Sequence, residues 1–254
     1  MPTWGMVVDI TRCSGCTGCQ VACKAENATP PGVTWTRMEY VEVGVFPSVH
    51  RVTVPVGCMH CRDPECLRVC PTGATYKRED GIVAIDTDMC IGCKSCMIAC
   101  PYGARYIRED ERGYFGETLT PYEREGYARH RVGAISKCDF CAHRIDEGLA
   151  HGLVPGVDPD ATPACVANCW TKARYFGDLD DPGSLVARMV ACGQAIQLRP
   201  EPGIDPQVYY LAPGRGSVPP TSAGELANRV VAGLADDRAS EGINQVLATH
   251  AARD

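Results

Sequence analysis

Cysteine is the residue type whose number and spacing point to chemistry in this chain. There are 17 cysteines, and sixteen of them fall into four groups of four. The groups are Cys13-Cys16-Cys19-Cys23, Cys58-Cys61-Cys66-Cys70, Cys90-Cys93-Cys96-Cys100 and Cys138-Cys141-Cys165-Cys169. The third group has the spacing C-x2-C-x2-C-x3-C-P, with which bacterial ferredoxins hold [4Fe–4S] clusters. The sequence therefore predicts four such clusters, whose chemistry is one-electron transfer.

The last cysteine of each group is expected to bind the cluster of a partner group. In C-x3-C the two cysteines lie about one helical turn apart, so the second can face a different cluster. The expected ligand sets are Cys58, Cys61, Cys66 and Cys100; Cys90, Cys93, Cys96 and Cys70; Cys13, Cys16, Cys19 and Cys169; and Cys138, Cys141, Cys165 and Cys23. Spacing supports the last two sets less directly, because a long loop separates Cys141 from Cys165.

Zinc sites and disulfides are the other common uses of cysteine. Structural zinc sites take their four ligands as two well-separated pairs, whereas the first and third groups each place four cysteines within eleven residues. Disulfide frameworks are typical of short secreted chains. Iron–sulfur clusters are therefore favoured. A zinc-structural or metal-storage protein remains an alternative, and metal analysis would distinguish it from an iron–sulfur protein.

Composition and charge restrict the class of protein further. The chain has 26 Gly, 19 Pro and only 7% aromatic residues, which favours short loops around inorganic clusters over one large apolar core. We expect metal binding to be coupled to folding, and the chain without clusters to be largely unfolded. The formal charge of −6 excludes the basic surface of a nucleic-acid-binding protein. Lys24, Lys94, Lys137 and Arg12 adjoin cluster cysteines, and either raise local reduction potentials or are solvated surface cations.

The sequence also bears on location. Cys13 comes too early to leave room for an export signal, and no stretch approaches the roughly 18 apolar residues of a membrane span. We expect a cytoplasmic or peripheral membrane protein without a span of its own. A periplasmic location would require export together with a signal-bearing partner.

An internal repeat underlies the cysteine pattern. Residues 66–76 (CLRVCPTGATY), 96–106 (CMIACPYGARY) and 165–175 (CVANCWTKARY) align without gaps. Self-similarity of this kind indicates a reused supersecondary unit. Proline after the last cysteine ends the helical turn, so a strand should begin near Tyr76 or Tyr106.

Several further elements can be predicted. Residues 33–43 and 50–56 predict a β-hairpin interrupted at Gly44 and Pro47, residues 80–86 a turn and short strand, and Ser184 the N-cap of a helix over 185–191. Six prolines between positions 200 and 220 argue against a regular helix or an inner strand in the first half of the tail. Residues 226–234 and 243–250 each show one apolar helical face.

These elements predict an α+β fold with two ferredoxin-like dicluster modules. The outer module would combine residues 1–57 with 138–199, and the inner module would span residues 58–106. Residues 107–137 would form an insertion loop, and residues 200–254 a C-terminal extension that is Pro-rich and then helical. The insertion, the loop 152–164 and the tail are candidates for partner contact, although the tail helices equally well pack on the chain itself.

Histidines and the remaining cysteine are not expected to bind metal. His60 lies within a group that already has four cysteines, so a place beside the cluster or on the surface is expected. His130, His143 and His151 are expected to be solvated. Cys192 lies outside every group and is expected to be a small buried apolar residue without a functional role.

Four motifs make the chain resemble the iron–sulfur (beta) subunits of the dimethyl sulfoxide reductase family of molybdenum and tungsten enzymes. They are CSGCTGC from residue 13, CMHCRDPEC from residue 58, CPYGARY from residue 100 and KCDFC from residue 137. The resemblance covers about residues 5–212. Four groups in this order, with a split fourth group, are typical of these subunits.

The resemblance implies an electron-transfer subunit without substrate chemistry of its own. It implies a molybdopterin-containing catalytic partner and, as in many relatives, a membrane or other subunit that exchanges electrons with quinone. The implied cluster order starts at the Cys13/Cys169 cluster beside the catalytic subunit and runs through Cys23/Cys138 and Cys58/Cys100 to Cys70/Cys90. Some relatives lack the second cysteine of the third group and hold [3Fe–4S] there; Cys93 is present here, so four cubanes are expected. A stand-alone polyferredoxin is the alternative function.

Overall fold

The computed structural model describes residues 1–193, 195–198 and 203–212. The described strands are β1 (Trp4–Asp9), β2 (Thr36–Val45), β3 (Ser48–Gly57), β4 (Thr75–Lys77), β5 (Val83–Ile85), β6 (Tyr106–Ile107), β7 (Ile135–Ser136), β8 (Arg174–Asp178), β9 (Ala195–Gln197) and β10 (Val208–Leu211). The described α-helices are α1 (Gly18–Asn27), α2 (Glu65–Arg68), α3 (Ser95–Ile98), α4 (Pro121–Tyr127), α5 (Ala142–Ala150), α6 (Ala164–Ala167) and α7 (Leu185–Ala191). This mixture of helices and strands is the expected α+β class. The helices predicted over residues 226–234 and 243–250 lie outside the described residues.

The largest sheet has the strand order β8-β1-β10-β9. β1 is buried along its whole length, and it pairs parallel to β10 and antiparallel to β8. The expectation that the Pro-rich segment holds no inner strand is therefore wrong. Pro206 precedes β10 and Pro213 follows it, so the strand fits between the prolines and none of its hydrogen-bond donors is lost.

A long hairpin of β2 and β3 confirms the strands predicted on either side of Gly44 and Pro47. Its base is buried and its tip is exposed, with Phe46 88% accessible. Gly44 has a φ of 106°, and a Cβ there would overlap the carbonyl oxygen of Ser48. The turn therefore requires glycine at this position.

Each copy of the internal repeat folds as a short helix, a turn and a strand. In the three copies, α2, α3 and α6 lead to β4, β6 and β8 respectively. The third residue after the last cysteine has a positive φ in every copy, at Gly73, Gly103 and Lys172. The repeat seen in the sequence is thus a repeat of structure, and the expected strands after Tyr76 and Tyr106 begin within a residue of those positions.

The segment 107–137 contains more regular structure than the expected insertion loop. It holds α4, whose first turn has a capping box: the Thr120 side chain accepts from the Glu123 backbone, and the Glu123 side chain accepts from the Thr120 backbone. The Tyr122 hydroxyl donates to the carbonyl oxygen of Ala25 over 2.5 Å. The helix therefore packs on α1.

The other local predictions were largely correct. The predicted strand within residues 80–86 is β5, and the side chain of Ser184 accepts a hydrogen bond from the Ala187 backbone at the start of α7. The loop 152–164 includes a short 3-10 helix over Pro159–Ala161.

Candidate metal centres

The first two cysteines of each group form a C-x2-C loop, and these four loops turn in the same way. The residue before the second cysteine has a positive φ in each of them: 71° at Gly15, 45° at His60, 67° at Gly92 and 59° at Phe140. Glycine adopts this conformation easily, whereas His and Phe do so at a cost that their surroundings must offset. The rings of His60 and Phe140 are both buried and stack on each other with centroids 3.7 Å apart.

The two inner cysteine groups line two cavities. Site C is lined by Cys58, Cys61, Cys66 and Cys100. Site D is lined by Cys70, Cys90, Cys93 and Cys96. These are the same two sets that the spacing predicts, because the two C-x3-C segments at α2 and α3 each contribute one cysteine to either site.

The two outer groups come together in the same exchanged manner. Site A is a cavity lined by Cys13, Cys16, Cys19 and Cys169. Site B comprises Cys23, Cys138, Cys141 and Cys165. In site B the amide nitrogen of Asn27 lies 3.7 Å from Sγ of Cys23 and 3.6 Å from Sγ of Cys141. Cys138 interacts electrostatically with Cys23 and Cys165.

The four sites follow one another in the order A, B, C, D. Sites A and B share α1 and the segment at α6, as sites C and D share the segments at α2 and α3. Sites B and C adjoin where Cys138 lies near Cys58. The exposed cysteines, Cys16 and Cys93, belong to the two end sites. The row is thus accessible at its ends.

Backbone amides donate hydrogen bonds to four of the cysteine sulfurs. The donors and acceptors are Thr75 N to Cys70 Sγ (3.4 Å), Ile135 N to Cys90 Sγ (3.4 Å), Phe140 N to Cys138 Sγ (3.5 Å) and Ala173 N to Cys169 Sγ (3.2 Å). Such donors stabilise sulfur in its thiolate form, and hydrogen bonds to sulfur tune the potentials of iron–sulfur clusters.

Without a cation the buried thiols are hard to ionise. Burial, with a contribution from Cys165, raises the pKa of Cys23 to about 12. Burial and neighbouring thiols also raise the pKa of Cys61 and of Cys141. All 17 cysteines are free of disulfides. Four thiolates gathered at one such site therefore require positive charge between them, and soft thiolates select iron–sulfur clusters or zinc.

The arrangement of the donors fits cubane clusters. Among the described residues, no three His, Cys, Asp or Glu side chains are grouped so as to hold a single metal ion. A cubane has one iron for each of its four thiolates, so its ligands need not converge on one point. Beside site C, the buried Nη2 of Arg105 donates no hydrogen bond to any described residue, and cluster sulfur is an acceptor that suits it.

Comparison with known proteins agrees with this chemistry. Residues 49–116 match the family model of the 4Fe-4S dicluster domain. The chain is 43% identical to the B subunit of selenate reductase from Mesobacillus selenatarsenatis over 222 residues, which cover 82% of this chain and 71% of that protein. It is 40% identical to the iron–sulfur B subunit of a putative dimethyl sulfoxide reductase from Halobacterium salinarum (85% and 82% covered). It is also 38% identical to the arsenate respiratory reductase iron–sulfur subunit of a Shewanella species (82% and 95% covered).

Similarity over most of both chains decides the family. The chain belongs to the iron–sulfur B subunits of the dimethyl sulfoxide reductase family. This iron–sulfur subunit is accordingly an electron-transfer subunit of an oxidoreductase, with ferredoxin-like [4Fe–4S] binding. In the described part of the chain, no helix combines the length and apolar character needed to cross a bilayer.

Two buried arginines of the subunit were missed by sequence reasoning. Arg105 and Arg174 hold the same position in the second and third copies of the repeat, and only 3% and 8% of their surfaces are exposed. The repeat alignment contained this signal, since a charged residue in two copies of a buried unit is unusual. Each arginine adjoins two of the cysteine sites.

The cations noted beside the cysteines have different environments. Lys137 is buried, and its ammonium donates hydrogen bonds to the carbonyl oxygens of Val83 and Cys138. Lys94 and Arg12 are exposed, and Lys24 is half-buried. Of the two alternatives for these side chains, the solvated surface cation fits Lys94 and Arg12 and does not fit Lys137.

The histidines were predicted only in part. His60 is fully buried beside Cys61, where its Nδ1 accepts a hydrogen bond from the backbone of Val83 at 3.2 Å. Burial, together with the charge of Lys137, holds the pKa of His60 well below its ordinary value. His143 and His151 are exposed as expected.

His130 was expected to be solvated, and that expectation is wrong. The His130 side chain is buried, and its Nε2 lies 2.7 Å from the carbonyl oxygen of Asn27. The sequence around His130 is polar and therefore gave no indication that its side chain contacts α1. Cys192 is half-buried, and its thiol donates a hydrogen bond to the carbonyl oxygen of Met189 at 2.9 Å.

Proposed function

We propose that this protein holds four [4Fe–4S] clusters, one at each of sites A to D. The proposed ligand sets are Cys13, Cys16, Cys19 and Cys169; Cys23, Cys138, Cys141 and Cys165; Cys58, Cys61, Cys66 and Cys100; and Cys70, Cys90, Cys93 and Cys96. The proposal depends on one observation, the grouping of sixteen cysteines from distant segments into four sets of four. When bound, the clusters supply one-electron transfer, while the protein holds them in a row and shields them from water.

We propose that the subunit is built from two dicluster modules. The inner module, residues 58–106, lies within the segment that matches the dicluster domain model. The outer module combines residues 1–57 with 138–199, which is supported by the pairing of β1 with β8. Because β10 also pairs with β1, the first part of the segment 200–254 joins the outer module. The segment 107–137 is the insertion between the modules.

We propose that a molybdopterin-containing catalytic subunit docks next to site A. Trp170, which is 88% exposed, directly follows the site A ligand Cys169. A membrane subunit or another electron-exchange subunit would dock next to site D, where Ile91 is 67% exposed between Cys90 and Cys93. Relatives named as B subunits of selenate and tetrathionate reductases and as a menaquinone reductase subunit support partners of these two kinds.

We propose a location in the cytoplasm or at the membrane surface, with a periplasmic location only after export with a signal-bearing partner. The formal charge of −6 supports partners other than nucleic acid.

Metal analysis and co-purification test the proposal. The anaerobically purified chain should contain about 16 iron and about 16 sulfide, as four cubanes require. A large molybdenum- or tungsten-containing subunit should co-purify at native expression levels. Stoichiometric zinc without sulfide would refute the electron-transfer function, and a stable monomer without a large subunit would instead support an independent electron carrier.

A further inference from the structure

Two arginines occupy equivalent places in the two pairs of cysteine sites. Arg105 and Arg174 both follow the buried alanine of their repeat copy, Ala104 or Ala173, whereas the first copy has Thr75 at this position. Both arginines are buried, and a buried guanidinium requires compensating negative charge or acceptors nearby.

Arg105 extends from site C to site D. Its side chain lines site C together with the four cysteines there. Its Nη1 donates a hydrogen bond to Oγ1 of Thr75 over 3.1 Å. Thr75 in turn lines site D, and its backbone donates to Sγ of Cys70. The guanidinium therefore lies at the wall shared by the two sites.

Arg174 has the corresponding place between sites A and B. It lines site A with the four cysteines of that site. Its Nη1 lies 3.8 Å from Sγ of Cys165, a thiol of site B, and 3.4 Å from Sδ of Met6. Its neighbours thus come from both sites of the outer pair.

The electrostatic consequence follows from burial. Four thiolates carry more negative charge than the iron–sulfide core offsets, so two adjacent clusters repel an added electron. A buried cation between them is poorly screened by water and acts on both. Net charge and hydrogen bonds to sulfur are among the factors that set cluster potentials.

We propose that Arg105 and Arg174 each couple the two clusters of one pair electrostatically. Each arginine raises the reduction potentials of both clusters of its pair and lowers the repulsion between them when both are reduced. This inference rests on the proposed function, because it presupposes clusters at sites A to D. Arg105 serves only the pair C and D, and Arg174 serves only the pair A and B.

The test compares Arg105→Gln and Arg174→Gln in the full chain carrying its clusters. Redox titration followed by electron paramagnetic resonance should show two midpoint potentials lowered in each variant, with a different pair affected in each. A tenfold change in the ratio of reduced to oxidised cluster at fixed potential, about 59 mV for one electron, is the expected scale. Arg112→Gln, at a side chain that is 70% exposed, should leave all potentials unchanged.

The outcomes separate the inference from the function on which it rests. A parent chain without iron and sulfide contradicts the proposed function itself. Full cluster content with unchanged potentials in both Gln variants overturns the inference, as does an equal shift of all clusters in both. If the Gln variants do not assemble clusters, the variants Arg105→Lys and Arg174→Lys, which keep the positive charge, provide the test. Assembly with potentials close to those of the parent supports the role of the charge, and failure to assemble, or shifted potentials, overturns it.

Discussion

His60 and Phe140 stack face to face at the same position of two C-x2-C loops, with ring centroids 3.7 Å apart and planes 20° from parallel. Phe140 also meets Phe176 edge to face at 5.3 Å. His60 belongs to the loop of site C, and Phe140 to the loop of site B. The aromatic stack therefore joins the inner and outer pairs of sites.

Replacing Phe140 by alanine should destabilise the junction between sites B and C. Phe140 is 1% exposed, and truncation of a buried Phe costs about 3–5 kcal/mol. The clusters should be lost at a lower temperature than in the parent. This temperature is measured by following the loss of their visible absorbance on heating. Phe115→Ala, at a side chain that is 80% exposed, is the matched control and should match the parent. Equal stability of both variants would show that the stack does not hold the junction.

Replacing Cys93 by alanine should change one cluster and leave the fold intact. Cys93 is exposed at the end of the row, so its loss disturbs little packing. We expect conversion at site D to a [3Fe–4S] cluster, with about 15 instead of about 16 iron per chain and the resonance signal of an oxidised three-iron cluster. Cys192→Ala should change neither quantity. Four unchanged cubanes in Cys93→Ala would show that Cys93 is not a ligand.

Two glycines with similar backbone angles should respond differently to alanine. Gly92 and Gly103 have φ values of 67° and 55°, so Ala costs about 1–3 kcal/mol of backbone strain at either. At Gly92 a Cβ would also overlap the carbonyl oxygen of Gly133, whereas at Gly103 there is nothing within 4 Å. Gly92→Ala should therefore lose iron from site D, and Gly103→Ala should keep nearly all of its iron. Similar iron content in the two variants would contradict this description of the site D loop.

Removal of the clusters should unfold most of the chain. Cysteines of all four sites lie within or against the hydrophobic clusters of the described residues, and metal binding in such proteins is coupled to folding. After removal of iron by a chelator under oxidising conditions, circular dichroism should show loss of most regular structure, and amide hydrogen exchange should become fast. Native-like protection in a fully iron-free chain would show that the apolar core folds alone.

The features that were predictable from sequence depend on local patterns. Cysteine spacing, the hairpin around Gly44 and Pro47 and the cap at Ser184 each follow from a few neighbouring residues. The features that were missed depend on contacts between distant segments. β10 is an inner strand because β1 and β9 flank it, and Lys137 is buried because carbonyl groups accept its protons. No local pattern contains either contact.

The order in which the cysteines appear along the chain has a consequence for biosynthesis. The cysteines of sites C and D have all been synthesised once residue 100 has been translated, whereas sites A and B are complete only after Cys169 and Cys165, and the sheet around β1 only after Val208–Leu211. A nascent polypeptide could thus receive clusters at sites C and D while its amino-terminal thiols still lack their partner cysteines. Under the proposed ligand assignment, clusters at sites A and B are therefore assembled later than those at sites C and D, and the first thiols need protection from oxidation until then.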